Sequence, residues 1–279
     1  MSYTELNCRV FPAEPASDIL IAQLADIGYE SFVESDTGIL AYIPSEQFDA
    51  KALKKLPVME AGLFDISFEH AEIEEENWNA LWESNYDPVL IAGQCYVRAP
   101  FHDPYPGADY DIVIEPKMSF GTAHHETTFL VAQLMLDIDF KGKNVLDMGS
   151  GTGIFAIMAA KMGAAEILAI DNDDWAYNNA IENLERNAVK NANVLLGDAS
   201  TLNEDLQFDI IIANINRNVL LRDMEAYAGS LKKNGLILFS GFYEHDWKVV
   251  EKEAENYNIQ HQKSVEKNDW IAVVAKKIK

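Results

Sequence analysis

A chain of 279 residues can hold one large domain or two ordinary ones, and a hydrophobic fraction of 48% is enough for a sizeable core. The net charge of −23 argues against broad binding to a phosphate backbone, which needs clustered Lys and Arg, and favours basic partners if it is more than compositional style. Two cysteines, Cys8 and Cys95, make neither a disulfide framework nor a zinc cluster; with no membrane-length apolar run and no signal-peptide pattern at the start, the expected setting is the cytoplasm.

The first 77 residues carry sixteen Asp and Glu against four Lys and Arg, more than half of the net charge. Tyr3–Phe11 alternates as a strand. A helix starts near Pro15-Ala16-Ser17, with Leu20, Leu24 and Ile27 on one face and Gly28 as its stop. Ser31–Glu34 and Ile39–Ile43 are strands about the turn Asp36-Thr37-Gly38. Phe48, Ala52 and Leu56 mark one face of a second helix, and Leu63–Glu69 a fourth strand. The order βαββαβ predicts a small ferredoxin-like α+β domain over residues 1–75. Residues 76–98 read as a linker: Trp78, Leu81 and Trp82 suit a helix that either docks on a domain or joins two, and Val89–Val97 is strand-like. Ala99–Asp109, with three prolines and a glycine, is a loop or hinge that opens a second domain over 99–279, and Ile112–Ile114 is a strand.

Ser119–Thr128 reads SFGTAHHETT and leads into a helix with Leu130, Val131, Leu134 and Met135 at helical spacing. Thr127 and Thr128 fall in its first turn with hydroxyls available to a ligand. His124 and His125 are adjacent, so their rings diverge, and no HExxH or Cys partner accompanies them; a metal site is disfavoured. The segment is either a loop covering a cofactor or an ordinary helix entry.

Asn144–Asp171 is one βαβ unit: a buried strand, the loop Gly149-Ser150-Gly151-Thr152-Gly153, an apolar helix ending at Gly163, a second strand, and a terminal acid. Asp171 stands about 20 residues beyond the glycines, placed to accept hydrogen bonds from ribose hydroxyls. The glycines fall G-x-G-x-G and not G-x-G-x-x-G, leaving less provision for a pyrophosphate. The pattern resembles motif I of the Rossmann-like S-adenosylmethionine (SAM) methyltransferases, and SAM enters through that resemblance. Further strands at Val194–Leu196, Phe208–Ala213, Leu236–Ser240, Ile259–Glu266 and Trp270–Ala275, with helices between, give an open seven-stranded α/β sheet.

Ligands of such sheets bind across the carboxyl ends of the strands. With SAM as ligand, Gly149, Gly151 and Gly153 line its methionine part and ribose, and Asp171 holds the ribose. Asp198 either addresses the adenine edge with the Ala199 N–H or is a turn acid after Gly197. Asn214 resembles the first residue of the N/D-P-P-Y motif of amine-directed methyltransferases, where an amide and nearby carbonyls aim the lone pair of a neutral amine; here the turn reads NINR, without prolines or tyrosine, and an ordinary strand-end Asn is the alternative.

Together these pieces resemble the ribosomal protein methyltransferase A family, whose segment before the catalytic core reads F-G-T-G-x-H-x-T-T. Phe120, Gly121, Thr122, His125, Thr127 and Thr128 match; Ala123 replaces the glycine and Glu126 a common proline. The resemblance implies SAM contacts at Thr128, Gly149, Asp171 and Asn214. It implies an N-terminal domain that grips a basic substrate, ribosomal protein L11 of the large subunit, and methylation of lysine and N-terminal amines. The alternatives are a methyltransferase for another protein, an RNA or a small amine, a nicotinamide-dependent oxidoreductase, or a non-catalytic module on the same fold.

Overall fold

The computed structural model describes residues 2–35, 37–73, 85–117, 119–203 and 205–279. The chain divides into two compact units, Met1–Asn85 and Tyr86–Lys279.

In the first unit β1 (Tyr3–Phe11), α1 (Ala13–Asp26), β2 (Ser31–Ser35), β3 (Gly38–Pro44), α2 (Ala50–Leu53), α3 (Pro57–Glu60) and β4 (Asp65–Ile73) follow one another. The strands form an antiparallel sheet in the order β2-β3-β1-β4. Leu6, Cys8 and Val10 of β1 and Ile39, Ala41 and Ile43 of β3 share its buried face, the period-2 pattern of a sheet covered on one side. Leu20 and Leu24 of α1 close the core from above. Regular helix begins at Ala16, because Glu14 and Pro15 have non-helical dihedrals.

The second helix expected over Phe48–Leu56 is instead broken. Phe48 is extended, and Asp49 caps α2 by accepting the Lys51 N–H at 2.8 Å. Leu56 is also extended, with ψ of 135°, because the residue before a proline is pushed out of the helical region; α3 restarts at Pro57. Of the expected linker, Trp78, Leu81 and Trp82 lie outside the described residues. The strand expected over Val89–Val97 is two strands, β5 (Val89–Ile91) and β6 (Cys95–Arg98), paired antiparallel about a turn with left-handed Ala92 and Gly93. With β7 (Tyr110–Val113) they make a three-stranded sheet of the second unit.

The large sheet of that unit contains β8 (Asn144–Met148), β9 (Glu166–Asp171), β10 (Ala192–Leu196), β11 (Phe208–Asn214), β12 (Leu231–Tyr243), β13 (Ile259–Lys267) and β14 (Trp270–Lys277). Their order is β10-β9-β8-β11-β12-β14-β13, parallel except at β14. One face packs on α4 (Glu126–Met135), α5 (Ile154–Lys161) and α6 (Asp174–Arg186); the other packs on α7 (Arg217–Ser230) and α8 (Trp247–Asn256). Covered on both faces, β8 and β11 are almost wholly buried, as their continuous apolar runs require. The chain builds outward through β8, β9 and β10, then crosses back to β11. That reversal opens a crevice between β8 and β11 at their carboxyl ends. Among the described residues no helix is long and apolar enough to cross a membrane.

Cys8 and Cys95 are both buried free thiols, and desolvation pushes each up to about 12. The thiolate is the reactive form. Neither thiol should react with a disulfide reagent such as DTNB at pH 8 in the folded protein, and both should react in guanidinium; prompt labelling of the native protein would contradict this burial.

Candidate functional site

The loop that follows β8 is held from three sides. Gly149 has φ of +70°, and a Cβ there would lie 2.3 Å from the Ile215 side chain. Gly151 has φ of +53°, and a Cβ would lie 2.2 Å from the carbonyl oxygen of Phe120. Gly153 packs on Ala180 of α6. The space the sequence reading gave to a ligand pressing on these glycines is therefore partly filled by the protein's own backbone.

The loop N–H groups are also spent. Those of Gly149 and Ser150 donate to the Ile170 carbonyl, Thr152 to Phe120 and Gly153 to Ser150, at 2.8–3.1 Å. Gly151 donates to Oδ2 of Asp171 at 2.8 Å. One turn into α5, the Ala156 N–H donates to Oδ2 of buried Asp147 at 3.0 Å. Burial pushes the Asp147 carboxyl up to about 8, and Asp171 nearby adds to the shift. A pyrophosphate-binding loop needs unspent N–H donors at a helix N-terminus. This loop has none, and an acid sits behind it.

A cavity of about 240 Å³ opens beside the loop. It gathers Gly149, Asp171 and Asp198 from three strand ends, together with Ile215, Asn216 and Tyr227. Asp171 also accepts the Asp173 N–H on Oδ1 at 3.1 Å; each carboxylate oxygen keeps a second lone pair. Asp198 is a turn acid and a cavity residue at once: it caps the turn Ala199–Thr201 by accepting the Ser200 N–H, and the Ser200 side chain, then that N–H, hold its carboxyl below the usual range. Gly151, Gly153, Thr127, Thr128 and Asn214 do not line this cavity. Sequence reading missed Ile215, Asn216 and Tyr227. The first two had a signal in their place beside Asn214; Tyr227 had none beyond helical spacing.

Asn214 ends β11 and is 9% exposed, and its amide oxygen has no hydrogen-bond partner. Its turn is rigid without the two prolines of the related motif. The Ile215 N–H donates to the Ser240 carbonyl at 3.1 Å, the Asn216 side chain caps α7 through the Val219 N–H, and Ile215 is gripped between Gly149 and Gly241.

The segment 119–128 lies against the loop through Thr152. The Thr152 N–H donates to Phe120, its hydroxyl donates to the Gly121 carbonyl, and its own carbonyl accepts from the Asn183 side chain at 3.0 Å. Asn183 in turn accepts the Glu115 N–H at 2.9 Å. Ala123 keeps a left-handed φ of +67°, the conformation suited to the glycine it replaces, at a cost of roughly 1–2 kcal/mol. Thr127 and Thr128 are fully buried in the first turn of α4; the Thr127 N–H donates to Nδ1 of His125, and the Thr128 hydroxyl has no partner. The two histidines diverge: Nε2 of His124 lies 2.8 Å from the Asp87 carbonyl, whereas His125 packs edge-on to Trp270.

The family described as "Ribosomal protein L11 methyltransferase (PrmA)" matches residues 16–278. A curated relative from Phocaeicola vulgatus, named ribosomal protein L11 methyltransferase, is 43% identical over 277 residues, 98% of each chain. The chain belongs to the ribosomal protein L11 methyltransferase family. A relative of the same name from Porphyromonas gingivalis is 44% identical over 265 residues, 93% of this chain and 90% of that one. A crystal structure titled ribosomal protein L11 methylase, from Lactobacillus delbrueckii subsp. bulgaricus, shares the fold with a TM-score of 0.63 at 24% identity, covering 70% of this chain and 99% of that one. The matched family and the shared fold make this a mixed α/β methyltransferase.

Within that family fold, Thr152→Val is expected to destabilise the second unit by about 1–3 kcal/mol, because it leaves the Gly121 carbonyl unpaired at constant shape. Thr152→Ser should recover most of the loss in denaturant titrations, and equal stability of Val and Ser variants would show that the hydroxyl bond contributes nothing.

Proposed function

We propose that this chain is a SAM-dependent protein N-methyltransferase that methylates lysine and N-terminal amines of ribosomal protein L11. The observation that carries the reading is the unpartnered amide oxygen of Asn214, nine-tenths buried on a rigid turn beside a cavity that holds an acid for ribose and borders a glycine loop whose N–H groups are spent. SAM fits this donor set. Asp171 would take the ribose hydroxyls, Asp198 and Ala199 the adenine edge, and the carbonyl-rich loop at Gly149 suits a cationic sulfonium better than an anion. The spent N–H groups equally disfavour the nicotinamide reading.

When bound, SAM supplies a methyl group already activated on a sulfonium. The protein's task is alignment. A buried amide oxygen accepts an N–H of the incoming neutral amine and turns its lone pair toward the cofactor. Burial removes water as a competing donor to that oxygen, so the amine hydrogen bond restores what the fold leaves unmade. The amine sheds its proton to solvent before it enters. No strong base is required at Asn214.

The strand order β2-β3-β1-β4 supports a ferredoxin-like reading of residues 1–75 as the substrate-recognition domain, and its acidity suits a basic ribosomal protein. The seven-strand order supports a Rossmann-like SAM domain, and β5 and β6 within the expected linker 76–98 pair with β7 of that same unit. Acidity without basic clusters argues against broad nucleic-acid binding, and two free thiols suit the cytoplasm.

Purified protein, SAM and L11 should give methyl-sized mass increments on L11; intact SAM binding with no increment on L11 would sink the substrate assignment. Asn214→Ala should lower kcat by about a hundredfold while SAM affinity stays within about threefold, since alignment and not cofactor binding is lost. Asp171→Ala should weaken SAM binding by about tenfold or more in calorimetry, from loss of charge-assisted hydrogen bonds; an unchanged affinity would reduce Asp171 to a structural cap of the Gly151 N–H.

A further inference from the structure

A second cavity, of about 510 Å³, lies on the far side of the Asn214–Asn216 turn. Asn216 lines both it and the cofactor cavity, so the turn is the wall between them. The second cavity continues into a third, of about 350 Å³, through shared Tyr243 and His245. The two form one groove at the carboxyl end of β12 and the β13–β14 turn.

One wall of the groove is aromatic. Tyr243, 43% exposed, has its ring 4.2 Å from Trp270 and stacked at 5.6 Å on His245. Trp270 packs at 4.8 Å on His125, and His125 at 5.0 Å on Phe120, itself 50% exposed. The aromatic surface thus runs without a break from the groove to the segment that covers the loop. The other wall carries acids of unequal standing. Asp246 is neutralised by Arg217, with His245 at 3.8 Å. Glu244 and Asp269 are exposed, are joined through the Glu244 N–H and the Asp269 carbonyl at 2.8 Å, and have no ion-pair partner among the described residues. The groove therefore offers aromatic faces and an uncompensated negative charge, next to a turn whose amide oxygen awaits a donor.

We propose that this groove receives the basic stretch of the substrate protein flanking the amine to be methylated, an inference that rests on the methyl-transfer reading above. Aromatic faces take the methylenes and cationic heads of Lys or Arg, and Glu244 with Asp269 supplies the opposite charge. The reacting amine then reaches Asn214 from the Asn216 side, opposite the cavity that holds Asp171. A neutral or acidic peptide has no partner for the two free acids, and a phosphate backbone is repelled by them.

The test compares wild type with the double variant Glu244→Gln, Asp269→Asn, both changes at exposed positions. Affinity for L11 and for SAM is measured by titration, and kcat and KM by methyl transfer. The double variant should bind L11 about tenfold more weakly at low salt, with the gap closing as salt rises, and should show raised KM at unchanged kcat and unchanged SAM affinity. Tyr243→Ala should weaken L11 binding by about threefold in a way that salt does not restore. Equal L11 affinity of the double variant and wild type overturns the groove. A wild-type protein that binds SAM and L11 yet transfers no methyl group overturns the functional reading instead, and the affinity comparison still decides the groove.

Discussion

The second unit is organised by close contact at the glycine loop that ends β8. Gly149 and Gly151 leave no room for a side chain: the Ile215 side chain lies in one Cβ position and the Phe120 carbonyl in the other. Any larger residue at either place would drive apart the loop and the segment it holds. Because these approaches are fixed, the covering segment, the βα loop and the Asn214 turn are positioned against one another by hard contact. Thr152 and Asn183 then lock the arrangement with hydrogen bonds that leave no loop N–H free.

That packing has an electrostatic result. A helix N-terminus preceded by a glycine loop ordinarily attracts anions. Here Asp147 of β8 accepts the Ala156 N–H of the first turn of α5 and Asp171 holds the Gly151 N–H, so donors at this end of the helix are met from within the protein. The mouth of the sheet is left rich in carbonyl and carboxylate oxygen. The same geometry that excludes a pyrophosphate suits a ligand that is cationic at its reacting centre.

Several buried oxygens around the site go against the fold's own interest. The Asn214 amide and the Thr128 hydroxyl have no partners, and a buried unsatisfied group costs about 1–3 kcal/mol. Oδ1 of Asp147 and the Ser150 hydroxyl, both at the loop, are likewise without a partner. An acceptor left open at the end of a central strand is the kind of local conflict found where a ligand completes the structure. The groove of Tyr243, Glu244 and Asp269 extends this to the substrate side, where exposed aromatics and unpaired acids stand beside the same turn.

By itself the sequence determined the alternation of strand and helix after Asn144, the glycine loop, and the acids and amide that end β9, β10 and β11. These rest on local periodicity and on short-range turn chemistry, which a linear reading captures. It misread Phe48–Leu56 as one helix, because a proline's effect on its predecessor overrode the apolar spacing, and it merged β5 with β6 across the turn at Gly93. Only the tertiary structure decided where the loop N–H groups go and what fills the space beside each glycine. It alone placed Thr127 and Thr128 away from the Asp171 cavity and brought residues 243–246 and 269–270 together beside Asn216. Partners far apart in the chain settle those questions, and no periodicity encodes which distant carbonyl will accept a given N–H.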